Sequence, residues 1–377
     1  MIIRQYWIKK IEDAWEKRSL VWLAGVRRTG KTTLSKMIPG INYLNCDLPS
    51  VGHQLEDPEF FYYNTEQPVV VFDEIHRLDK PDIILKIGTD EFNYLRILAT
   101  GSSTLTANSK FRDSLTGRKI QLFFPPVLWN ECTNDFGIKN LDRRLLLGGL
   151  PEFLLRQQKD DLLYSEWIDS YYARDIQELF NIKNKTGFLK LFNLLLFQSG
   201  STFEITSLAK QSGLSRPTVM SHIEALQVAN AIHIVKPFSG KGKKEIIRQP
   251  KIYAFDTGFV TYVKRLTTIT DNERGILWEH LVLDMLKVGF GDVLHWRDKN
   301  KHEVDFILRG KENKVIAIEC KINPSKFSPK GIIAFRKLYP QGKNYCFSPY
   351  VPNGYKLRFN NIIVEFVSSA DQINNQV

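Results

Sequence analysis

Residues 19–35 read SLVWLAGVRRTGKTTLS. Leu20 to Ala24 are apolar, branched or aromatic and stop at Gly25, the pattern of a short buried strand that ends in a turn. From Gly25 to Thr32 the chain satisfies GxxxxGK[ST] at every fixed position, between that strand and a predicted short amphipathic helix. Glycines at these positions let successive amides turn inward around phosphate oxygens, and the positive end of the following helix faces the same anion. Lys31 can then reach the outer phosphates and the Thr32 hydroxyl can ligate magnesium, while Gly25, Arg28, Thr29, Gly30 and Thr33 complete the cradle. The expected cofactors are ATP and Mg2+.

Working outward, three more apolar runs follow: NYLNC ending at Cys46, PVVVFDE ending at Glu74, and YLRILATG ending at Gly101. The stretches between them are long enough for crossovers, which predicts a mostly parallel sheet with helices on its faces. The second run ends in two carboxylates 42 residues or so beyond the lysine, at Asp73 and Glu74. At the carboxyl end of a central strand, Asp73 is placed to hold magnesium directly or through water, and Glu74 is the candidate general base for an attacking water. After the third run, Ser102 could sense the outer phosphate from a neighbouring strand. In SKFRDSLTGRK, Arg112 and Arg118 are candidates for stabilising charge at a reacting phosphoryl group, or are simply solvent-facing cations. The aromatic and proline cluster FFPPVLWNE then breaks the pattern, so the first sheet is expected to end there.

The whole chain has 377 residues, too many for one small domain, and its 43% hydrophobic fraction can fill ordinary cores. Lys and Arg number 52 against 41 acids, a formal charge of +11 that favours an anionic partner. Cys46, Cys132, Cys320 and Cys346 are too widely spaced for a metal clip and too few for a disulfide scaffold, which points to a reducing, cytoplasmic setting. The first twenty residues carry charges throughout, unlike a secretory signal, and FLKLFNLLLFQSG is broken by Lys190 and Asn193, so no membrane span is expected.

From about residue 143 to 230 the reading turns helical. The segment from Phe203 onward gives a helix, a turn at Gly213, a second helix opening at Ser215 and Pro217, and two strand-like runs around a loop, the order of a winged helix. Arg216, Thr218, Ser221 and His222 are expected on or near the exposed face of the second helix. The loop between the strands, from Lys236 to Lys251, carries Lys241, Lys243, Lys244 and Arg248 against the single acid Glu245. Such a wing can lay charge along a nucleic-acid backbone, and it can equally be a solvated spacer in a protein-protein connector.

Near the C-terminus Asp305 closes HEVD, and Glu319-Cys320-Lys321 ends an apolar strand fourteen residues after it. Strand alternation sends Glu319 and Lys321 to one face. Together with Glu279 on an upstream helix, this grouping resembles the restriction-endonuclease-like PD-(D/E)xK fold. That resemblance implies a divalent metal between Asp305 and Glu319, with Lys321 polarising a phosphate or activating water. Glu303 shares strand parity with Asp305, and His302 reads as a hydrogen-bonding neighbour.

The order of motifs as a whole is similar to bacterial and archaeal P-loop ATPases of the AAA-14 type with a trailing DUF4143 domain, within the broad AAA and STAND-like group. GVRRTGKTTL, VVVFDEIHRL, ILATGSS, SLTGR, GGLPEFL and YYARDI carry the likeness, which spans most of the chain. One departure is Leu150, where the family's GG-aromatic-Pro segment has Tyr or Phe; packing is expected of it. The resemblance implies ATP hydrolysis, with Lys31, Thr32, Asp73 and Glu74 in the roles above and Arg118 as the family-type arginine, acting in cis or on a neighbour in a homo-oligomer.

The expected fold is α/β and multidomain. It comprises a P-loop ATPase core over 1–140, a helical lid and winged helix over 141–265, and a nuclease-like mixed α/β domain over 266–377. The expected function is magnesium-dependent ATP turnover coupled to engagement of DNA or a protein partner, with metal-dependent cleavage at the last domain. The alternatives are a non-catalytic, nucleotide-switched interaction protein and a DNA-binding transcriptional regulator.

Overall fold

In the computed structural model, residues 2–101, 113–177, 180, 182–239, 249–310 and 314–373 are described. Strands β1 (Leu20–Ala24) and β3 (Val69–Asp73) are buried at every position, as their unbroken apolar runs require. With β2 (Ile41–Asn45), β4 (Arg96–Thr100) and β5 (Lys119–Phe123) they form a five-stranded, all-parallel sheet in the order β2-β3-β4-β1-β5. Because every strand runs the same way, the carboxyl ends of β1, β3 and β4 meet along one edge. The loop at Gly25, the Asp73-Glu74 pair and Thr100 therefore converge there.

Helix Gln5–Trp15 buries Trp7, Ile11 and Trp15, and the Trp15 indole donates to the Ile97 carbonyl at 3.0 Å. Just before it, buried Arg4 forks onto Glu131 at 2.6 and 2.8 Å and donates to the Thr29 carbonyl at 3.0 Å. The N-terminal segment thus braces the loop that follows β1.

The middle is helical: Leu141–Leu147, Pro151–Leu154 and Asp161–Tyr171, a π-helical turn at Tyr172–Gln177, then Lys185–Phe197. Leu150 is fully buried, the packing position expected of it. Strand β6 (Ser201–Thr202), helices Ile205–Ser212 and Arg216–Val228, and strands β7 (Ile232–Pro237) and β8 (Lys251–Ala254) follow in winged-helix order. Ser215 caps the second helix, accepting from the Thr218 amide at 3.2 Å.

The 20-residue helix Asp271–Phe290, opened by a Thr270/Glu273 capping box, leads into β9 (Leu294–Arg297), β10 (Glu303–Arg309) and β11 (Val315–Cys320). These form an antiparallel meander. Helix Lys330–Leu338 then returns the chain to β12 (Asn344–Phe347), parallel to β11, and the hairpin β13 (Tyr355–Phe359) and β14 (Ile362–Val367) completes the edge.

Strands β6, β7 and β8 do not form a separate small sheet. β7 pairs in parallel with β9 at Lys236 and Pro237, and the Phe238 amide donates to the His295 carbonyl at 2.6 Å. The result is one nine-stranded sheet, β13-β14-β12-β11-β10-β9-β7-β8-β6, that runs across residue 265. Pairing removes the exposed edge that β7 would otherwise present. The molecule is a multidomain α/β protein with a parallel P-loop-type sheet and helical regions. Among the described residues, no helix is long and apolar enough to cross a membrane.

Where helix Asp271–Phe290 meets β5 and β7, buried Asp284 lies 3.9 Å from His233, whose ring stands edge-on to Phe123. Burial pushes the Asp284 carboxyl up to about 8. A carboxyl raised above its unfolded value of about 3.9 contributes stability that is complete below that value and is lost as pH rises through the folded one. Stability should therefore fall across about pH 4 to 8 through this group. Asp284→Asn is expected to flatten that fall and raise the melting temperature at the alkaline end, read by thermal denaturation across the range.

Candidate functional site

The phosphate loop is shaped by backbone constraints before any side chain acts. A Cβ at Gly25 would collide with the Phe124 carbonyl oxygen, so only glycine lets β1 pass β5 at this point. Gly30 at φ 96° and Arg28 at φ 63° take left-handed conformations that turn the chain into helix Lys31–Ser35. Thr29 is buried and its hydroxyl donates to the Val26 carbonyl at 3.0 Å. Lys31 is buried too, donating to the Gly25 and Val26 carbonyls at 3.0 and 2.9 Å, and burial lowers its pKa against the opposing pull of Glu74. Thr32 and Thr33 are exposed on that helix, and Arg28 is ion-paired to Glu152 at 3.2 Å.

A cavity of 480 Å³ opens over this loop. Its polar side carries Arg28, Lys31, Thr32 and Glu74; Ile2, Met37, Phe136 and Leu155 supply an apolar wall. Phosphate donors and an apolar slot in one cavity suit a nucleotide with its base.

Asp73 is buried at the end of β3, where both carboxylate oxygens already accept: Oδ2 from the Tyr43 hydroxyl and Oδ1 from the Thr100 hydroxyl, each at 2.6 Å. The Glu74 amide donates to Thr100 Oγ1 at 3.1 Å, so one hydroxyl aligns both acids. Glu74 sits at φ 57°. Burial would raise its carboxyl, but the His76 ring nitrogen at 3.1 Å and the Lys31 charge outweigh burial and hold it at about 2. Glu74 is therefore a fixed anion suited to orienting a water, and a weak proton acceptor.

Arg118 is not at this site. It precedes β5 at the opposite edge of the parallel sheet and forks onto Asp90 at 2.6 and 3.0 Å, at the end of helix Pro81–Asp90. A five-residue strand separates it from the edge where Gly25, Asp73 and Thr100 meet, and it does not line the cavity there. Ser102 and Arg112 lie outside the described residues.

Three contributors had little or no local signal. Tyr43 and Thr100 hold Asp73, and Thr100 stood out only as part of the ATGSS run. Asp175, on the π-helical turn, lies 3.3 Å from Arg27 and acts electrostatically on Lys31 and Glu74. Only the spacing of His76 two residues after Glu74, and the YYARDI stretch as such, could have pointed to the neighbourhood.

On helix Arg216–Val228, Arg216 and Ser221 are exposed and Thr218 is partly so. His222 is buried, edge-on to the Phe188 ring at 5.5 Å, and does not face solvent. Helical periodicity explains the correction: residue 222 falls on the inward face with Val219, Ile223 and Leu226. Lys241, Lys243, Lys244 and Arg248 lie outside the described residues. Lys251, at the far end of that loop, turns inward and is ion-paired to Glu303.

A second cavity, of 530 Å³, brings Glu279, Asp305, Glu319 and Lys321 together. Asp305 Oδ2 accepts from the Cys320 amide at 2.8 Å, and Lys321 Nζ lies 3.1 Å from Glu319 and 3.8 Å from Asp305. The Tyr253 hydroxyl, from β8, donates to Glu279 at 3.0 Å. Burial, with the Asp305 charge adding to it, pushes Glu279 and Glu319 up to about 8. Lys321 is raised, since Asp305 and Glu319 overcome the opposing effect of burial. His302 bonds Asp298 at 2.8 Å, the neighbour role expected of it. Among the described residues no group of three or more His, Cys, Asp or Glu side chains is arranged to hold a metal ion, so Asp305 and Glu319 are a two-carboxylate set.

Residues 17–133 match the family model of an AAA domain, residues 138–270 a domain of unknown function (DUF8612), and residues 274–363 a domain of unknown function (DUF4143). An uncharacterized protein of Mycobacterium tuberculosis is 26% identical over 315 residues, covering 79% of this chain and 69% of its own. One from Methanocaldococcus jannaschii is 25% identical over 279 residues, covering 67% of this chain and 61% of its own. Among solved structures, a Walker-type ATPase of Pyrococcus abyssi aligns with a TM-score of 0.46 at 16% identity, covering 70% of this chain and 96% of that one. The AAA match lies on the parallel sheet and the Gly25–Lys31 loop, and the DUF4143 match runs from helix Asp271–Phe290 into β14.

Proposed function

We propose that the protein binds MgATP at the 480 Å³ cavity and hydrolyses it, and that nucleotide state governs how its helical and winged-helix parts engage DNA or a protein partner. The observation that carries the reading is the convergence of Lys31, Thr32 and Glu74 on one cavity with an apolar slot beside them. The loop amides and Lys31 would bind the phosphates, and Ile2, Met37, Phe136 and Leu155 would receive the base. The oxygen donors fit magnesium: the exposed Thr32 hydroxyl directly, and Asp73 through water because both its oxygens already accept hydrogen bonds. Bound there, the ion supplies charge neutralisation to the outer phosphates.

Glu74, held ionised by His76 and Lys31, orients the attacking water rather than storing its proton. Lys31→Ala is expected to abolish ATP binding in calorimetry. Glu74→Gln should keep ATP affinity within about threefold while slowing turnover by roughly 100-fold or more. Equal turnover in the Gln variant would remove Glu74 from the mechanism. Arg118, remote from its own chain's cavity, would serve catalysis only by reaching a neighbour's nucleotide in a homo-oligomer.

For the DUF4143 region we infer metal-dependent cleavage of nucleic acid at Asp305, Glu319 and Lys321. The order of helix Asp271–Phe290, an antiparallel meander, helix Lys330–Leu338 and a parallel fourth strand supports this, as does the gathering of these side chains with Glu279 in one cavity. Two carboxylates plus waters suit Mg2+, and Lys321 stands ready to contact a phosphate. Exposed Arg216 and Ser221 would contact backbone phosphates from the winged helix. The test is a magnesium-dependent cleavage assay on single-stranded, duplex and branched nucleic acid, with and without ATP. Asp305→Ala is expected to abolish cleavage while leaving ATP turnover intact.

A further inference from the structure

Arg27 has no role in the site derived above, yet it lines the same cavity as Lys31, Thr32 and Glu74. Its Nη1 donates to the Ser170 carbonyl at 2.8 Å and lies 3.3 Å from Asp175 Oδ2. Both partners belong to the helical middle: Ser170 near the end of helix Asp161–Tyr171, Asp175 in the π-helical turn Tyr172–Gln177. Such turns are rare and cluster at functional positions.

Two features mark the pair as unfinished. Arg27 Nε and Asp175 Oδ2 are both buried without a hydrogen-bond partner among the described residues, although a guanidinium and a carboxylate this close ordinarily form two parallel bonds. The surroundings are also charged on both sides: Lys31, Arg28 and Arg174 reach one or other member, and so do Glu74 and His76. Burial lowers the Arg27 pKa and raises that of Asp175, so neither group is fully compensated by its partner.

We propose that Arg27 is a phosphate ligand of the bound nucleotide and that Asp175 is its competing counter-ion, so the polyphosphate and the turn Tyr172–Gln177 contend for one guanidinium. The proposal rests on the nucleotide reading above. A triphosphate brings several negative charges into a site where Asp175 already adds one beside Lys31 and Glu74. Like charges sharing a partly buried site repel. Transfer of Arg27 to the phosphates relieves that repulsion and leaves Asp175 without its cation, which loosens the hold of residues 170–175 on the phosphate loop. Arg27 thus binds nucleotide, while Asp175 is a positioning residue that carries nucleotide state into the helical middle.

The test is calorimetry on the full chain with MgATP and MgADP, together with hydrogen-deuterium exchange over residues 168–177 with and without MgATP. Arg27→Gln is expected to weaken ATP by about tenfold or more and ADP by less, as loss of a charge-assisted contact to phosphate predicts. Asp175→Asn should tighten ATP by roughly five- to tenfold, through loss of a like charge, while Asp175→Glu should stay near wild type. In the wild type, MgATP should speed exchange at 168–177 by about fivefold or more, and in Asp175→Asn this response should be lost. Unchanged or weaker ATP binding in Asp175→Asn, or wild-type affinity in Arg27→Gln, overturns the proposal. So does unchanged wild-type exchange at 168–177, a readout that needs neither variant to fold. A wild-type chain that binds no ATP removes the nucleotide reading itself; one that binds ATP while both variants match it removes only this inference.

Discussion

One buried guanidinium ties the segment after β5 to helix Leu141–Leu147 and to Thr257 just beyond β8. Arg144 donates through Nε and Nη2 to the Val127 carbonyl at 3.0 and 2.8 Å and through Nη1 to the Thr257 hydroxyl at 3.1 Å. Beside it, Asp256 accepts from the Gly149 and Gly258 amides at 2.6 and 2.7 Å. Three segments distant in sequence are locked in one polar knot, and a buried charge deprived of such partners would be strongly destabilising. The knot also dictates sequence: side chains at Gly148, Gly149 or Gly258 would collide with Asp256, Arg144 or the Leu147 carbonyl. The glycine pair in GGLPEFL is thus a packing requirement of the knot.

Around that knot the two cavities are built by different means. The 480 Å³ cavity sits at the carboxyl edge of a parallel sheet, where loops meet, and the acids beside it are pinned by neighbours from β2 and β4. The second cavity depends on β7 joining β9, because that pairing brings Lys251 and Tyr253 against Glu303 and Glu279. Strands β6 and β8 therefore form part of the wall of that cavity.

Much of this was readable from local pattern. The strands at Leu20, Val69 and Arg96 announce themselves as apolar runs, and helix Asp271–Phe290 by its apolar spacing. β5 was not: KIQLF alternates with partly buried positions, as an edge strand does, and no apolar run marks it. His222 looks polar in sequence and packs on Phe188 because its position on the helix, not its chemistry, selects the inner face. Arg118 resembles a phosphate-binding arginine, but sheet direction carries it to the far edge.

What the sequence by itself determined is the phosphate loop and the chemistry on offer there. Its turn depends on glycines and on φ angles within nine consecutive residues, and such constraints are complete in the local chain. Only the tertiary structure decided which groups face that chemistry: Tyr43 and Thr100 on Asp73, His76 on Glu74, Asp175 on Arg27. Those partners come from strand order, register and the docking of the helical middle. Period and composition say which face of an element is buried, and they are silent on which distant element will cover it.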